Sequence, residues 1–337
     1  MPLRLAAAAL IVVLTAGLGV LAWPQALDLQ RAAGAAQAVS FRGATVIAAL
    51  GVAVVATALG HVLPGLRRLA GVLALVLVVY AAGVAAVLLV RGIGAPDVPR
   101  AGANDLTLLS WNTLGDSVPA DAVARVAAAD GADVIALPET TRDRARQIAR
   151  LLAEDGPGFR VFSRDQQPGI PARSTSLLVS RALGPYAQVR SVGDTTGVPS
   201  VVVQPSGGQN GPRIVAVHTL APYEPDPEGW RADLAWVAER CDGRNVLLAG
   251  DFNATLDHFA GLGSGAGQLA ACRDGALATR NGAVGTWPTS LPGLLGTPID
   301  HVLATPNWRF AGFRVLTDQD SAGSDHRPVL ARLSPAG

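Results

Sequence analysis

Long apolar runs dominate the first part of the chain, at residues 5–27, 44–66 and 69–90. None of these three runs contains Asp, Glu, Lys or Arg. Each is long enough for the roughly 20 apolar residues of helix that cross a hydrocarbon core. Core helices of a globular domain are the alternative, but such helices rarely stay uncharged over three successive runs. The pattern therefore predicts a membrane anchor of three transmembrane helices within residues 1–91.

Beyond the anchor the pattern changes twice. Residues 92–103 are rich in Gly, Pro and Ala, which is typical of a linker. Residues 104–337 then carry short apolar runs that end in turn residues, and this pattern predicts β-strands. Helical periodicity lies between some of these runs, at 119–130, 141–154 and 229–241. The mixture predicts one α/β domain with much β-structure.

The orientation of the anchor depends on the Arg residues near its helix ends. Arg4, with Ala22 and Ala26 as a weak small-residue context for cleavage, would also suit a cleaved signal peptide. The first run is longer than the about 7–15 residues of a signal core, so we favour an uncleaved helix. Arg67 and Arg68 lie together in a tight connection, which favours the cytoplasmic side. Four other Arg fall on the opposite side and weaken this argument. Three spans then predict a multi-pass protein of the cell membrane whose residues 104–337 are extracytoplasmic.

Charge limits the partners of the domain. All 27 basic residues of the chain are Arg. Residues 104–337 contain 20 Arg against 24 Asp or Glu, which gives a net charge of −4. Proteins that bind long nucleic acids usually present a basic face, so a nucleic-acid substrate is possible but not favoured.

Two Cys occur, Cys241 and Cys272, both in the domain. Two buried free thiols are one interpretation of this pair. A disulfide is the other, because the domain is predicted to face an oxidising compartment. Neither Cys has the spacing of a metal site.

Residues capable of chemistry stand at the ends of several predicted strands. Asn112 follows LTLLSW, Glu139 follows DVIALP, His218 ends RIVAVH and Asp251 follows NVLLAG. Any one of them alone is typical of a solvated loop. Strands that place carboxylates, an Asn and a His at one edge, however, build a pocket of hard oxygen ligands and proton-handling groups.

Two short clusters sharpen this interpretation. In Gly250-Asp251-Phe252-Asn253, the two-residue period of an extended chain puts Asp251 and Asn253 on one face, with Phe252 turned to the core. The sequence Ser-Asp-His at 324–326 places a carboxylate and an imidazole side by side just before the last predicted strand. Together the clusters favour a site for chemistry over surface pairs.

Six motifs in this order resemble the endonuclease/exonuclease/phosphatase superfamily, which includes DNase I-like nucleases, inositol polyphosphate phosphatases and neutral sphingomyelinases. They are LSWNTLG, DVIALPET, VHTLAP, LAGDFNAT, PIDHVLA and SDHRPVLARL, spread over nearly the whole domain. The resemblance implies a four-layered α/β/β/α sandwich, with two β-sheets face to face, helices outside and one site at an end of the sheets.

The resemblance also implies a metal site. Glu139 is similar to the carboxylate ligand of Mg²⁺ or Mn²⁺, and Asn112 to the residue beside it that supports the metal and the phosphate. Asp325 is similar to the second carboxylate on the metal side. The Gln that commonly precedes this Glu is Pro138 here, which removes a donor near the metal. A hard cation held by carboxylates suits phosphate ester chemistry, because it places positive charge on the phosphate oxygens.

Catalytic roles are implied for five further residues. Asp251 matches the Asp that orients or deprotonates the attacking water, and Asn253 the neighbour that contacts phosphate oxygens. His326 is similar to the His that bonds the phosphoryl oxygen, and Asp300 to the Asp that holds that imidazole. His218 matches a site His whose role differs among members. A carboxylate beside His326 would raise the pKa of the imidazole and keep it cationic, which suits donation to developing charge.

Other polar residues near the motifs receive lesser roles. Trp287 lies where members place an aromatic substrate-side loop, so we expect it at the mouth of the site. We interpret His301 as a neighbour of Asp300 rather than a catalyst, and Asp257-His258 as a loop pair near the mouth.

The sequence as a whole predicts a membrane-tethered, Mg²⁺- or Mn²⁺-dependent phosphoric ester hydrolase. Tethering favours a substrate at the membrane surface, such as a lipid headgroup, and the choice between a mono- and a diester stays open because loops set it. An exported nuclease is an alternative, which the acidic domain opposes. A catalytically silent binding module on an anchor is another, which the intact Glu139, Asp251 and His326 oppose. No protein partner can be inferred.

Overall fold

The computed structural model describes residues 2–94, 98–154, 156–222, 227–243, 245–265 and 267–336, with side chains from residue 5. Helices come first in the chain: α1 (Pro2–Ala22), the short α2 (Ala35–Ser40), α3 (Arg42–Val62) and α4 (Arg67–Arg91). The helices α1, α3 and α4 are long and apolar enough to cross a membrane.

Prolines set the ends of these helices. The first apolar run extends to residue 27, but α1 ends at Ala22 and Pro24 begins a separate 3₁₀ turn, Pro24–Leu27. Pro64 likewise begins a 3₁₀ turn, Pro64–Leu66, which separates α3 from α4. Proline has no N–H to donate and fixes its own φ, so it suits the first turn of a helix and not the interior. The helix ends therefore differ from the ends of the apolar runs by a few residues.

After α4, the described chain is built around two mixed β-sheets. Their strands are β1 (Leu106–Ser110), β2 (Val134–Pro138), β3 (Phe159–Asp165), β4 (Ser174–Ser180), β5 (Tyr186–Val189), β6 (Val201–Pro205), β7 (Arg213–His218), β8 (Val246–Asp251), β9 (Gln268–Leu269), β10 (Cys272–Asp274), β11 (Asp300–Ala304), β12 (Trp308–Val315) and β13 (Val329–Pro335). The first sheet has the order β12-β13-β1-β2-β4-β3, and the second has the order β5-β6-β7-β8-β11-β10-β9.

Helices cover the outer faces of both sheets. The first sheet carries α5 (Ala120–Ala129) and α6 (Arg142–Leu152), and the second carries α7 (Pro227–Arg240), while the four-residue α8 (Gly275–Ala278) follows β10. Alternate residues of one strand serve two cores: Leu108 packs between the sheets and Leu109 packs under the helices. Strands buried on both faces read as continuous apolar runs. The fold is the predicted α/β/β/α sandwich.

The anchor packs directly on the domain. Near the end of α4, the Gly282 N–H donates to the Arg91 carbonyl at 3.0 Å and the Gly94 N–H donates to the Arg280 carbonyl at 3.1 Å. At the start of α3, a Cβ added to Gly43 would lie 1.7 Å from the Leu294 carbonyl oxygen. Of the expected linker 92–103, residues 95–97 lie outside the described chain. The described part of that segment follows the surface of the domain.

Asp257 and His258 belong to this anchor contact, so their interpretation as a loop pair near the mouth of the site was wrong. The Asp257 carboxylate is buried and accepts hydrogen bonds from Arg42 and Arg91 at 2.7–2.9 Å, and also from the Gln25 amide. The Ala36 carbonyl lies 3.2 Å from His258 Nε2. Such long-range pairs leave no pattern in the sequence.

Cys241 and Cys272 form a disulfide, with their Cα atoms 5.8 Å apart. It joins the residue that follows α7 to the first residue of β10, and both residues are buried. Of the two interpretations of the cysteine pair, the structure has the disulfide.

Candidate active site

Three neighbouring strands of the second sheet place acid and imidazole groups in one row. His218 at the end of β7 is paired in register with Asp251 at the end of β8, and Asp251 is paired with Asp300 at the start of β11. Gly250 permits this arrangement, because its φ is 152° and a Cβ there would lie 1.9 Å from the Val217 carbonyl oxygen. The row is therefore fixed by strand pairing.

The first sheet brings a second set of groups to the same end of the sandwich. Asn112 lies shortly after β1 and Glu139 directly after β2, and these two strands are parallel neighbours. Asp325 and His326 precede β13, which pairs with β1. The Trp111 indole donates to the His326 carbonyl at 2.9 Å. Adjacent strand ends thus supply all four residues.

Asn112 joins the two sets. Its Nδ2 group donates to Glu139 Oε1 and to Asp251 Oδ2, each at 3.0 Å. Asn112 is buried, and its own Oδ1 accepts the Leu114 N–H at 3.0 Å. Burial raises the pKa of the Glu139 carboxyl, and the Asn112 hydrogen bond opposes the shift. A cation is the natural partner for the carboxylates gathered here.

His326 lies between two carboxylates. Its Nδ1 is 2.9 Å from Asp300 Oδ2, and its Nε2 is 3.7 Å from Asp251 Oδ2. Burial lowers the pKa of the imidazole, but Asp300 and Asp251 raise it more, so the net direction is upward. The ring is consequently a cation at neutral pH, with Nδ1–H given to Asp300.

Asp251 and His218 respond to burial in opposite ways. Burial raises the pKa of the Asp251 carboxyl, although His326 lowers it. Burial lowers the pKa of His218 to about 4, and no described group bonds His218 Nδ1. The Asn253 N–H donates to Asp251 Oδ1 at 2.8 Å. The site therefore holds a carboxylate with raised basicity beside one neutral and one cationic imidazole.

Two site residues have strained backbones. Glu139 has a φ of 53° and Asn253 a φ of 45°. Both lie in the left-handed backbone region that residues other than glycine rarely adopt. Such strain persists only where the surroundings impose it, and it concentrates at functional sites. Both residues leave a strand at the point where the side chain turns into the cavity.

Buried carboxylate oxygens without hydrogen-bond partners test whether a metal fits. Within the described residues, Asp325 Oδ1 and Asp300 Oδ1 have no partner. Oxygens of Asp251 and Asp300 and a nitrogen of His326 lie within 4.8 Å of one another. Glu139 and Asp325 line the same cavity. These groups suit a hard divalent cation.

Residues 109–326 match the model of the Endonuclease/Exonuclease/phosphatase family. The chain belongs to this family. Its members hydrolyse phosphate ester bonds. No curated protein matches the sequence.

Solved structures of the family share the fold. An endonuclease/exonuclease/phosphatase from Beutenbergia cavernae DSM 12333 is 21% identical, with a TM-score of 0.52 over 69% of this chain and 72% of that chain. Humanized D. rerio TDP2 with 14 mutations is 15% identical, with a TM-score of 0.54 over 69% and 100% of the two chains. D. rerio TDP2 complexed with a single strand DNA product is 16% identical, with a TM-score of 0.51 over 68% and 99%. At these identities the likeness concerns the fold.

All nine residues that the sequence proposed for the family site lie together. A cavity of about 360 Å³ lies at this end of the sandwich. Seven of the nine line it: Glu139, His218, Asp251, Asn253, Trp287, Asp325 and His326. Asn112 and Asp300 lie behind them and hold them by hydrogen bonds. The Trp287 indole donates to Asp325 Oδ2 at 2.8 Å. Their chemical roles remain predictions.

The sequence did not reveal several residues of the site. Ser324 Oγ accepts the His326 N–H at 3.0 Å and donates to the Asn112 carbonyl at 2.7 Å, and its signal was its place in the Ser-Asp-His cluster. Gln37, Ser40 and Phe41 of the anchor also line the cavity, and no local signal marked them.

His301 is adjacent to Asp300 but lies in the core. Its two ring nitrogens are each 2.8 Å from an oxygen, one of Asp274 and one of Ala254. Successive residues of a strand point to opposite faces, so His301 cannot reach the cavity beside Asp300. This position agrees with its interpretation as a neighbour and not a catalyst.

Proposed function

We propose that the protein is a membrane-tethered, divalent-metal-dependent phosphoesterase that hydrolyses a phosphate ester by attack of an activated water. The supporting observation is that buried His326 lies between the Asp300 and Asp251 carboxylates, with Glu139 and Asp325 lining the same cavity. Water attack on a phosphate ester needs a base beside the nucleophile and positive charge at the phosphate oxygens. Asp251 supplies the base, and His326 supplies the positive charge.

The residues divide this work. Asp251, with its raised pKa, takes the proton of the attacking water while the water oxygen bonds to phosphorus and the ester P–O bond breaks. His326 donates Nε2–H to a phosphate oxygen, and Asp300 holds the ring through Nδ1. Asn253 lies beside Asp251 and contacts phosphate. Neutral His218 can donate a hydrogen bond to the leaving oxygen, and that oxygen takes its proton from water.

A divalent cation completes the proposed site. Glu139 and Asp325 would hold Mg²⁺ or Mn²⁺, with Asn112 orienting the Glu139 carboxylate through its 3.0 Å hydrogen bond. Such an ion supplies positive charge to the phosphate oxygens and satisfies the partnerless Asp325 Oδ1.

The membrane part of the proposal rests on the three apolar helices, and its orientation on two observations. The Cys241–Cys272 disulfide favours an oxidising compartment, because cytosolic thiols are kept reduced. The turn after α1, the start of α3 and the end of α4 all contact Asp257 of the domain, so Arg67 and Arg68 lie at the far end of the anchor. If the Arg pair is cytoplasmic, as the positive-inside rule favours, the domain would lie outside.

A nuclease is the alternative activity, since the D. rerio relative was solved with a single strand DNA product. Among the described residues, Arg173 is the only Arg that lines the cavity. A groove for a polyanion usually carries several cations. We therefore favour a small or lipid phosphate ester over DNA.

The test is hydrolysis by the full-length protein in detergent. Bis(p-nitrophenyl) phosphate, p-nitrophenyl phosphate and single-stranded DNA are supplied with Mg²⁺, with Mn²⁺ or with EDTA. We expect turnover of an ester with either metal and loss of it in EDTA. Asp251→Asn should lower turnover by on the order of 10²–10⁴-fold, the usual contribution of a general base.

Asp143→Asn is the matched control, because its side chain is 87% exposed on α6, outside the cavity lining. It should keep wild-type turnover. Full activity of Asp251→Asn, or activity that survives EDTA, would contradict the proposal. Turnover of DNA alone would favour the nuclease.

A further inference from the structure

The anchor forms one wall of the cavity. Gln37 and Ser40 of α2 and Phe41, the residue between α2 and α3, line the same space as Asp251 and His326. The Phe41 and Trp287 rings are in tilted contact, with their centroids 6.0 Å apart and their planes at 58°. An element expected only to tether the domain therefore contributes side chains to its active site.

Buried polar contacts hold this wall in place. Next to Phe41, Arg42 donates to the two Asp257 carboxylate oxygens at 2.9 and 2.7 Å, and both side chains are at most 3% exposed. The Gln37 amide donates to the Pro222 carbonyl at 3.4 Å. Arg31 donates to the carbonyls of His258 and Ala260 at 2.7 Å. The wall keeps a fixed position relative to the catalytic groups.

The cavity is polar at its floor and apolar at its sides. The floor carries the carboxylates and imidazoles, whereas the sides carry Phe41, Leu114, Ile170, Leu220 and Trp287. Leu114 and Ile170 remain 41% and 39% exposed. Sites that hold a ligand of mixed character line its apolar part with such side chains. A phosphate ester bound here would have an apolar substituent.

The position of the wall indicates the source of that substituent. Phe41 directly precedes α3, whose residues after Arg42 are uncharged over a span long enough to cross a membrane. Apolar side chains near the domain ends of the anchor helices are exposed, among them Trp23 at 53%, Leu27 at 60% and Leu294 at 45%. The cavity thus lies next to the membrane boundary, where acyl chains are available.

We propose that Phe41 and Trp287 form a subsite for the apolar part of a membrane lipid, so that the substrate is a lipid phosphate ester and the anchor is part of the site that selects it. This inference rests on the proposed phosphoesterase function. The lipid phosphate enters the polar floor, and the first carbons of the lipid pack along the apolar surface that the two adjoining rings present to the cavity. Phe41 is a specificity-determining residue in this arrangement.

The test compares a lipid with its chain-free counterpart. Full-length protein in phosphatidylcholine vesicles receives phosphatidic acid or phosphatidylglycerol in the same bilayer. In parallel assays it receives glycerol 3-phosphate or bis(p-nitrophenyl) phosphate in solution. The readout is the ratio of lipid to soluble turnover. We expect Phe41→Ala to lower this ratio by about tenfold or more, the usual effect of removing an apolar substrate contact.

Leu27→Ala is the matched control. Leu27 lies, like Phe41, in the segment between α1 and α3, but it does not line the cavity. It should keep the wild-type ratio. Because Phe41 also contacts the domain, thermal unfolding of each variant is measured. If Phe41→Ala does not fold, Phe41→Leu and Phe41→Gln make the same comparison, and only Gln should lower the ratio.

The outcomes separate the two proposals. If neither lipid nor soluble ester is hydrolysed, the phosphoesterase function itself is wrong. If soluble esters are hydrolysed but lipids are not, or if the ratio stays unchanged in the Phe41 variants, the lipid subsite is wrong and the function stands.

Discussion

Single buried side chains set the charge state of both the site and the anchor contact, and His258 is the simplest case. Its Nδ1 accepts the Thr255 N–H at 2.8 Å, which leaves Nε2–H to donate to the Ala36 carbonyl at 3.2 Å. Burial lowers the pKa of this imidazole to about 4, although Asp257 opposes the shift. Protonation would put a hydrogen on Nδ1, which would then face the Thr255 N–H, itself a donor. The α2 contact therefore requires neutral His258.

This requirement predicts a pH dependence of stability. The folded pKa of His258 is depressed below the unfolded value of about 6.5, so its contribution is complete above that value and is lost as pH falls toward 4. Linkage gives a loss of about 2 kcal/mol between pH 7 and pH 5. Denaturant unfolding in detergent at both pH values measures it, with His258→Gln as reference. A wild-type-minus-variant difference in unfolding free energy that is the same at both pH values would contradict the prediction.

At the residue scale, the residues that the sequence proposed for the site lie together in the structure, and their roles remain predictions. Each predicted strand is a buried apolar run, so a polar side chain is tolerated only where the run ends. Three site residues lie at such ends: Asn112, Glu139 and Asp251. Positive φ at Glu139 and Asn253 could not be predicted, because packing around the residue imposes it.

Elements meet at the buried carboxylate of Asp257, which fixes the start of α3 and the end of α4 to the domain. Arg42 and Arg91 each donate two hydrogen bonds to it, and the Arg pair depresses its pKa even though burial raises it. The carboxylate is therefore charged at neutral pH. Arg42 is buried and Arg91 nearly so, and both need the Asp257 charge as their partner, so removing the carboxylate leaves both guanidinium groups uncompensated.

Removing this carboxylate should separate anchor and domain. Asp257→Ala leaves Arg42 and Arg91 buried without an anion, which costs about 3–5 kcal/mol. We expect a lower unfolding free energy in detergent and faster proteolysis between α4 and β1. Asp28→Asn is the control, since Asp28 is 80% exposed, pairs with Arg31 at 3.5 Å and has a φ of 56° that Asn also tolerates, so little change is expected. Equal stability of Asp257→Ala and wild type would show that the contact does not hold the elements together.

At the scale of the whole molecule, the cavity and the disulfide both belong to the domain, which would lie on one side of the predicted membrane. If that side is extracytoplasmic, a C-terminal tag on intact cells should be digested by external protease. A tag inserted at Gly65, between α3 and α4, is the internal control and should be protected. The Cys241–Cys272 pair should react with an alkylating reagent only after reduction. Protection of the C-terminal tag would place the domain in the cytoplasm.

The sequence by itself determined the fold class, the family and the three apolar helices, because each depends on patterns within a few neighbouring residues. Periodicity of two marked the strands, and uninterrupted apolar runs marked the helices. The tertiary structure alone decided that the anchor enters the active site. Arg42 and Asp257 are 215 positions apart, as are Trp111 and His326, and only the folded chain brings such pairs together. Local patterns describe what a segment can bury, whereas the partner against which it is buried is a property of the whole fold.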